Sequence, residues 1–184
     1  MLIVWIILAL VVVAVLWLVF TYNRLVRLRN ESSQGFSGID IQLKRRADLI
    51  PNLVESVKAY AAHEQGVFDD VTEARARTLS AQGVGEASDA AGRTTAALGR
   101  LFAVAEAYPQ LRASENFKRL QDELTDTEDK IAAARRYYNT VVQAYNTGQQ
   151  TFPASVVAGT FGFSPREFFR LDDDGDRAPV AVSV

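Results

Sequence analysis

The single histidine opens the most enzyme-like motif of the chain. His63-Glu64 begins like the helix of a zinc protease, in which a second histidine four residues later completes the ligand pair. Position 67 is Val67, so that second ligand is missing. A chain with one histidine and no cysteine also lacks the usual soft metal ligands, disulfides and a thiolate nucleophile. We therefore expect no metal site and no cofactor, and interpret His63 as an exposed or bundle-edge residue.

A second arrangement of potential metal ligands lies near the end of the chain. Asp172, Asp174 and Asp176 alternate like the opening of an EF-hand calcium loop. The sixth loop position requires glycine but is Arg177, and the twelfth position carries no glutamate. The acidic, Gly- and Pro-containing composition instead predicts a solvated, disordered tail.

Three arginines close to the N-terminal apolar run are candidates for binding lipid headgroups: Arg24, Arg27 and Arg29. A cationic side chain near an anionic membrane surface contributes about 1 kcal/mol. The overall net charge is only -2. That balance argues against a protein that coats nucleic acid, so we expect no nucleic-acid partner.

A second basic cluster, Lys44-Arg45-Arg46, allows two interpretations. If the chain is helical after Tyr22, the cluster lies about 33 Å from the membrane end, several Debye lengths away, so headgroup contact would require a bend. In the alternative, Arg46 faces the helical bundle and pairs with an acid on another helix, while Lys44 and Arg45 are solvated. We favour this second interpretation.

Tyrosines near the end of the last long helical pattern do not form a recognisable catalytic group. Tyr138 and Tyr145 are seven residues apart on one helical stripe, so we expect them to pack in the core and not to form a functional aromatic cluster with Tyr137. The chain contains no Ser/His/Asp arrangement, P-loop or dinucleotide-binding glycine motif. We therefore predict no catalytic residues and no enzymatic activity.

The N-terminal run requires a membrane. Residues 2–20 are all apolar and span about 28 Å as a helix, close to the ~30 Å hydrocarbon thickness of a bilayer. Trp5, Trp17 and Tyr22 lie near its ends, where aromatic rings favour the interface. A cleaved signal peptide is the alternative, but the run is long and no A-x-A cleavage site follows it. Because arginines follow the run and none precedes it, the positive-inside rule predicts a cytoplasmic body and an outside N-terminus.

The rest of the chain has the period of long α-helices. Apolar positions separated by three and four residues predict helix-to-helix packing of the coiled-coil type. The three predicted stripes are, first, Ile39, Leu43, Ile50, Leu53, Val57, Tyr60, Val67, Val71 and Ala74; second, Ala87, Ala90, Ala91, Thr94, Leu98, Leu101, Ala105 and Tyr108; third, Phe117, Leu120, Leu124, Thr127, Ile131, Ala134, Tyr138, Val141 and Tyr145.

These stripes predict an all-α fold: an N-terminal transmembrane helix followed by an elongated antiparallel bundle of three long helices. We expect a weak point at residues 34–38, which contain Gly35 and Gly38, and a kink or restart at Pro51 with Asp48 as a candidate cap. The predicted segments are a transmembrane anchor (1–22), a juxtamembrane helix and hinge (23–38), a helical bundle (39–150), a Phe-rich C-terminal segment (151–171) and a disordered tail (172–184).

The Phe-rich segment contains half of the ten phenylalanines of the chain: Phe152, Phe161, Phe163, Phe168 and Phe169. Glycine and proline interrupt it too often for a regular bundle helix. Large apolar side chains in such number need a surface to cover them. That surface is the open end of the bundle, the membrane or another copy of the chain; we favour another copy and treat the five residues as oligomer-contact candidates.

Two long stretches resemble the LemA family. They are residues 42–54 (QLKRRADLIPNLV) with 60–64 (YAAHE), and residues 134–139 (ARRYYN) with 145–146 (YN), 152–153 (FP) and 162–163 (GF). Residues 22–23, 115–117 and 120–121 fit the same pattern, so the resemblance covers about residues 1–171. It implies a bacterial single-pass protein of the inner membrane with a helical domain, and one branch of the family is associated with shaping membrane compartments.

Three functions remain open for such a chain. The favoured one is a membrane-anchored helical scaffold or assembly protein that acts by binding and self-association. The second is an accessory subunit that positions a membrane protease or phosphatase, through a membrane-protein partner that the sequence does not identify. The third, less favoured, is a membrane enzyme. The expected partners are thus the lipid bilayer, other copies of the chain and, in the second case, a membrane enzyme.

Overall fold

A computed structural model describes residues 1–170 of the chain. This part is all-α, with six helices and no strand among the described residues. The helices are α1 (Leu2–Lys58), α2 (Gln65–Ser80), α3 (Gly83–Glu106), α4 (Pro109–Ala113), α5 (Glu115–Gln150) and α6 (Ala154–Thr160). The all-α prediction is therefore confirmed. The predicted tail, residues 172–184, with its alternating aspartates, lies outside the described residues.

The chain divides into two compact units. Among the described residues, unit 1 contains Met1–Ser37 and Arg135–Phe168, and unit 2 contains Gly38–Ala134 with Phe169 and Arg170. Both long helices, α1 and α5, contribute to both units. The boundary in α1 follows Ser37, within the segment in which the sequence predicted a weak point. The predicted segment boundaries themselves remain predictions.

Unit 2 packs four helical segments around an apolar core: the end of α1, α2, α3 and the start of α5. Their inward residues follow the helical period, and α4 adds Leu111. The core consists of Ile50, Leu53, Val57, Ala61, Phe68, Val71, Ala74, Ala97, Leu98, Leu101, Ala105, Leu111, Phe117, Leu120 and Leu124. Alanines on α2 and α3 leave little side-chain volume between these two helices.

The prediction of three long helices in the bundle was wrong in one respect. The first stripe is not one helix, because α1 ends at Lys58 and α2 begins at Gln65. Around the connection the buried residues differ from the predicted stripe by one position, although Val71 and Ala74 are buried as predicted. Tyr60, on the predicted stripe, is 44% exposed, whereas Phe68 is 3% exposed and replaces Val67 as the inward residue.

Helix α1 continues through Pro51, so the predicted restart with Asp48 as a cap was wrong. A proline inside a helix has no N–H to donate to the carbonyl four residues earlier, which here is the carbonyl of Ala47. Arg75 of α2 supplies the missing donor: its Nε lies 2.9 Å from the Ala47 oxygen. A side chain from a neighbouring helix thus satisfies the carbonyl that Pro51 leaves open.

Residues 34–38 are helical as well, and Gly35 has a packing role. Gly35 is buried, and a Cβ at this position would lie 3.4 Å from the Tyr137 ring and from the Tyr138 Cα. The missing side chain lets α1 and α5 approach closely within unit 1. The close contact between α1 and α5 therefore accounts for the glycine at position 35.

Unit 1 has its own small core. Leu25 of α1 packs near Gly148 of α5, whose absent Cβ would lie 3.6 Å from the Leu25 side chain. Tyr138, Val142 and Tyr145 line the inner face of α5. Val157 and Ala158 are the buried residues of α6. The C-terminal segment therefore contributes to this core.

Candidate membrane-proximal site

The apolar run at the start of α1 is fully uncovered. Every residue from 2 to 20 is exposed, and α1 passes the length and composition test for a membrane span with no part of its apolar window buried. Exposed side chains in such a run need a lipid environment, because leaving about twenty large apolar residues in water is strongly unfavourable. The chain is accordingly membrane-associated.

Burial begins directly after the run. Thr21 is 7% exposed and Leu25 is 2% exposed, so α1 changes within five residues from an uncovered helix to a packed one. The same helix thus provides both the candidate span and part of the core of unit 1. Packing of this kind joins the span to the folded unit without an intervening linker.

The three arginines after the run remain accessible. Arg24, Arg27 and Arg29 are all exposed, as headgroup contact would require. The Arg27 guanidinium lies 3.7 Å from the Glu31 carboxylate on the next turn, a long contact between exposed groups. Their role in binding lipid stays a prediction.

An aromatic cluster lies beside the last of these arginines, Arg29. The Tyr22 ring has its centroid 5.0 Å from that of Phe161 and 5.6 Å from that of Phe163, both in edge-on geometry. The Arg29 Cζ lies 5.4 Å from the centre of the Phe163 ring, within cation–π range. Gly162, with φ of 70°, makes the turn that places the two phenylalanines on the same tyrosine. These contacts bring the C-terminal segment to the end of the apolar run.

Side chains of α5 form hydrogen bonds with the backbone of this C-terminal segment. The Asn146 Nδ2 donates to the Arg166 carbonyl at 2.9 Å, and the Arg166 N–H donates to the Asn146 Oδ1 at 2.9 Å. The Tyr138 hydroxyl donates to the Glu167 carbonyl at 2.8 Å, and the Tyr145 hydroxyl donates to the Ser164 carbonyl at 3.1 Å. Four hydrogen bonds thus satisfy backbone groups of a segment that has no regular secondary structure.

Tyr138 is buried, as the sequence predicted, and its titration is affected. Burial raises the pKa of the Tyr138 phenol above its ordinary value of 10.0, and the Glu167 carboxylate raises it further, while Arg166 acts in the opposite direction. Tyr145 is also buried, at 1% exposed, whereas Tyr137 is 54% exposed. The prediction that Tyr138 and Tyr145 are core residues is confirmed.

The five phenylalanines of the C-terminal segment have different environments. Phe169 is 1% exposed and Phe163 and Phe168 are half-buried, so the chain itself covers much of these three rings. Phe152 is 79% exposed and Phe161 is 50% exposed. The role of these residues as oligomer contacts stays a prediction.

The second basic cluster follows the favoured interpretation. Arg46 is 1% exposed in unit 2, and its Nη1 lies 2.8 Å from the Glu128 Oε1 of α5. Its second nitrogen donates to the Ala91 carbonyl of α3 at 3.1 Å. Arg46 therefore joins three helices of the bundle, whereas Lys44 and Arg45 are exposed.

The described residues contain no group of three or more metal-ligating side chains. His63 is exposed in the connection between α1 and α2, as predicted.

A shallow groove between α2 and α3 is lined by arginines and acidic residues. Its charges largely pair, for example Arg77 with Glu73 at 2.6 Å and Arg100 with Asp70 at 3.1 Å. The Arg77 guanidinium holds the pKa of the Glu73 carboxyl below its usual range.

The sequence did not predict that Asn146 holds the C-terminal segment through the Arg166 backbone, or that Arg75 donates to the Ala47 carbonyl. Tyr145-Asn146 is one of the pairs that resemble the LemA family, and this resemblance is the one sequence signal for Asn146. Pro51 within a helical pattern did indicate an open carbonyl, but its donor lies on another helix. Nothing in the local sequence identifies such a donor.

Fold and site together define a membrane-associated all-α protein in which an uncovered N-terminal helix leads directly into a packed helical unit. The chain matches the LemA family over residues 35–184, and therefore belongs to the LemA family. The resemblance that the motifs indicated is confirmed.

Named relatives extend over most of the chain. The magnetosome protein MamQ of Magnetospirillum gryphiswaldense is 26% identical over 91% of this chain and 71% of its own length. Magnetosome protein MamQ 2 of Paramagnetospirillum magneticum is 28% identical over 90% of this chain and 71% of its own. Protein LemA of Metamycoplasma hominis is 28% identical over 83% of this chain and 73% of its own.

Proposed function

We propose that the chain is a membrane-anchored helical scaffold that acts by binding and self-association and performs no chemistry of its own. The observation that carries the proposal is the continuity of α1. Its first part is uncovered and long enough to span a bilayer, and its next turns bury Leu25 and Ser32 in unit 1. A folded unit built directly on its anchor holds its binding surfaces at a fixed distance from the membrane, as a scaffold requires.

The relatives support a binding role. Those called magnetosome proteins are named for a cellular structure and not for a reaction. Within the described residues, the buried Arg46 is engaged in joining helices, through Glu128 and the Ala91 carbonyl. The ion pair stabilises the arrangement of the helices. That arrangement determines the surface with which a binding protein contacts its partners.

We place the anchor in the bacterial inner membrane with the helical body in the cytoplasm. The support is the three exposed arginines directly after the apolar run, Arg24, Arg27 and Arg29. On the cytoplasmic side these cations also meet the anionic lipid of that leaflet.

Cysteine labelling tests this orientation, because the natural chain has no cysteine. The exposed Asp129 is changed to cysteine, and intact cells are treated with an impermeant thiol reagent. We expect labelling of Asp129→Cys only after the cells are permeabilised. Labelling in intact cells would place the body outside.

Particle mass tests the scaffold proposal. Full-length chain purified in detergent should form particles whose protein mass is a multiple of the chain mass, without another protein in stoichiometric amount. A monomer that is recovered with one membrane protease or phosphatase would instead identify an accessory subunit. Catalytic turnover by the purified chain alone would show an enzyme.

A further inference from the structure

Three large apolar side chains in and beside α6 are exposed. Phe152 is 79% exposed, Val156 is 61% exposed and Phe161 is 50% exposed. Other residues of the same helix are packed, since Val157 and Ala158 are 3% and 4% exposed. We refer to the exposed residues Phe152, Val156 and Phe161, which lie before, within and directly after α6, as the α6 face. This short segment thus has both buried and exposed apolar side chains.

The α6 face begins at the level of the membrane surface. The Phe161 ring lies 5.0 Å from the Tyr22 ring. Tyr22 follows the last residue of the apolar run, Phe20, by two positions, which is about 3 Å along a helix. The headgroup layer on each side of a bilayer is roughly 5–8 Å thick, so a ring in contact with Tyr22 lies within that layer.

Charge is distributed as a lipid boundary would require. No charged residue lies between Arg136 and Arg166, although 23% of the chain is charged. This charge-free stretch includes the end of α5 and all of α6. On α1, the first acidic residue after the apolar run is Glu31, so every charge closer to the run is an arginine. Neutral side chains and cations are the ones that an anionic headgroup layer accepts at low cost.

We propose that the α6 face inserts into the headgroup layer of the bilayer that holds the apolar run, and so forms a second, shallow membrane contact. This inference rests on the proposed membrane anchor. The ligand is a phospholipid surface: Phe152, Val156 and Phe161 enter the boundary between headgroups and acyl chains, as the apolar faces of interfacial helices do. The aromatic cluster with Tyr22 keeps this face level with the end of the span.

A second copy of the chain is the other candidate occupant of the α6 face. Lipid is favoured because contact with Tyr22 places the face at the bilayer whether or not the protein associates. The missing charge also extends well beyond the three exposed apolar residues, as contact with a lipid surface would favour. Self-association, as proposed above, then uses other surfaces of the chain.

Site-directed spin labelling of the full-length chain in vesicles of phosphatidylcholine and phosphatidylglycerol tests the inference. Three single-cysteine variants are compared: Val156→Cys on the α6 face, Val13→Cys within the apolar run, and Ser33→Cys on α1. Ser33 is exposed and lies thirteen residues beyond Phe20, about 20 Å along the helix, so its label should lie in water. Collision rates with oxygen, which concentrates in lipid, and with a water-soluble nickel chelate report the surroundings of each label.

We expect the labels at positions 13 and 156 to collide more with oxygen than with nickel, and the label at position 33 to show the reverse order. If position 13 shows the lipid pattern but position 156 follows position 33, the anchor stands and the α6 face lies in water. If the label at position 156 is shielded from both reagents and shows spin–spin broadening, a second copy covers the face. Either result overturns the inference. A water pattern at position 13 would reject the anchor and, with it, this inference.

Discussion

Arg75 donates a hydrogen bond to the Ala47 carbonyl, which Pro51 leaves without a backbone donor. The energetic coupling between Arg75 and Pro51 can be measured. Replacing Arg75 with alanine leaves the buried Ala47 carbonyl without a donor, which should lower the free energy of unfolding by about 1–3 kcal/mol. In a Pro51→Ala background the new alanine N–H can reach that carbonyl. The cost of Arg75→Ala should therefore be smaller there, by about 1 kcal/mol.

Urea unfolding of the four proteins in this double-mutant cycle gives the coupling energy. Arg77→Ala is the matched control on the same helix, because Arg77 is exposed and pairs with Glu73 one turn away. Its cost should be the same in both backgrounds. A coupling energy near zero would contradict the role assigned to Arg75.

Two neighbouring cations should differ in their effect on stability. Arg46→Ala removes a buried guanidinium that pairs with Glu128, which is 39% exposed. We expect a loss of about 3 kcal/mol, at the low end for breaking a buried pair because solvent screens Glu128. Lys44→Ala removes only an exposed contact with Asp40 and should cost less than about 0.5 kcal/mol. Thermal unfolding of both variants checks the difference, and equal losses would contradict it.

The buried phenol of Tyr138 predicts a loss of stability at alkaline pH. Because burial raises its pKa above 10.0, the folded state keeps a proton that the unfolded chain releases. The associated stabilisation is complete below pH 10.0 and is lost as pH rises through the pKa of the folded state. The free energy of unfolding should thus decline more steeply with pH in the natural protein than in Tyr138→Phe. Tyr137→Phe, which changes an exposed tyrosine, should keep the natural slope.

At the scale of elements, the C-terminal segment depends on hydrogen bonds from α5 more than on its own helix. Helix α6 has seven residues, too few for stability by itself. The segment after it has no regular secondary structure. Its position therefore rests on the backbone contacts with Asn146, Tyr138 and Tyr145 and on the rings around Tyr22.

Replacing Asn146 with alanine should loosen this segment. The change removes both hydrogen bonds to the Arg166 backbone and should cost about 1–3 kcal/mol. Hydrogen exchange should show reduced protection for residues 152–168. Gln143→Ala is the control, because its amide bonds to Thr147 one turn away on the exposed face. Unchanged protection in Asn146→Ala would mean that aromatic packing alone holds the segment.

At the scale of the whole molecule, the apolar run should be separable from the fold. Deleting residues 1–20 removes side chains that are all exposed, and keeps Thr21 and Tyr22, which pack in unit 1. The shortened protein should remain in solution without detergent and keep its helical circular dichroism and cooperative melting. Deleting residues 1–22 serves as comparison and should melt at a lower temperature, since it also removes Tyr22 from the aromatic cluster. Loss of helicity or of cooperative melting after the first deletion would contradict the separation of the apolar run from the fold.

The amino-acid sequence by itself determined the features that depend on local periodicity. The inward positions of α5, such as Leu124, Ile131 and Tyr138, follow from helical spacing, because one face of a helix must be covered by apolar contacts. Their burial in the structure agrees with that expectation. The uncovered run of residues 2–20 follows from length and composition alone.

Only the tertiary structure decided the features that join residues distant in the chain. The heptad pattern runs through the break after Lys58 without indicating it, and near that break Phe68 is buried in place of the predicted Val67. Asn146 meets Arg166, and Arg75 reaches the Ala47 carbonyl, across separations of 20 and 28 residues. Polar side chains pair with the groups that the folded state brings close to them, because a buried polar group without a partner is costly. The local spacing of residues does not show which groups these are.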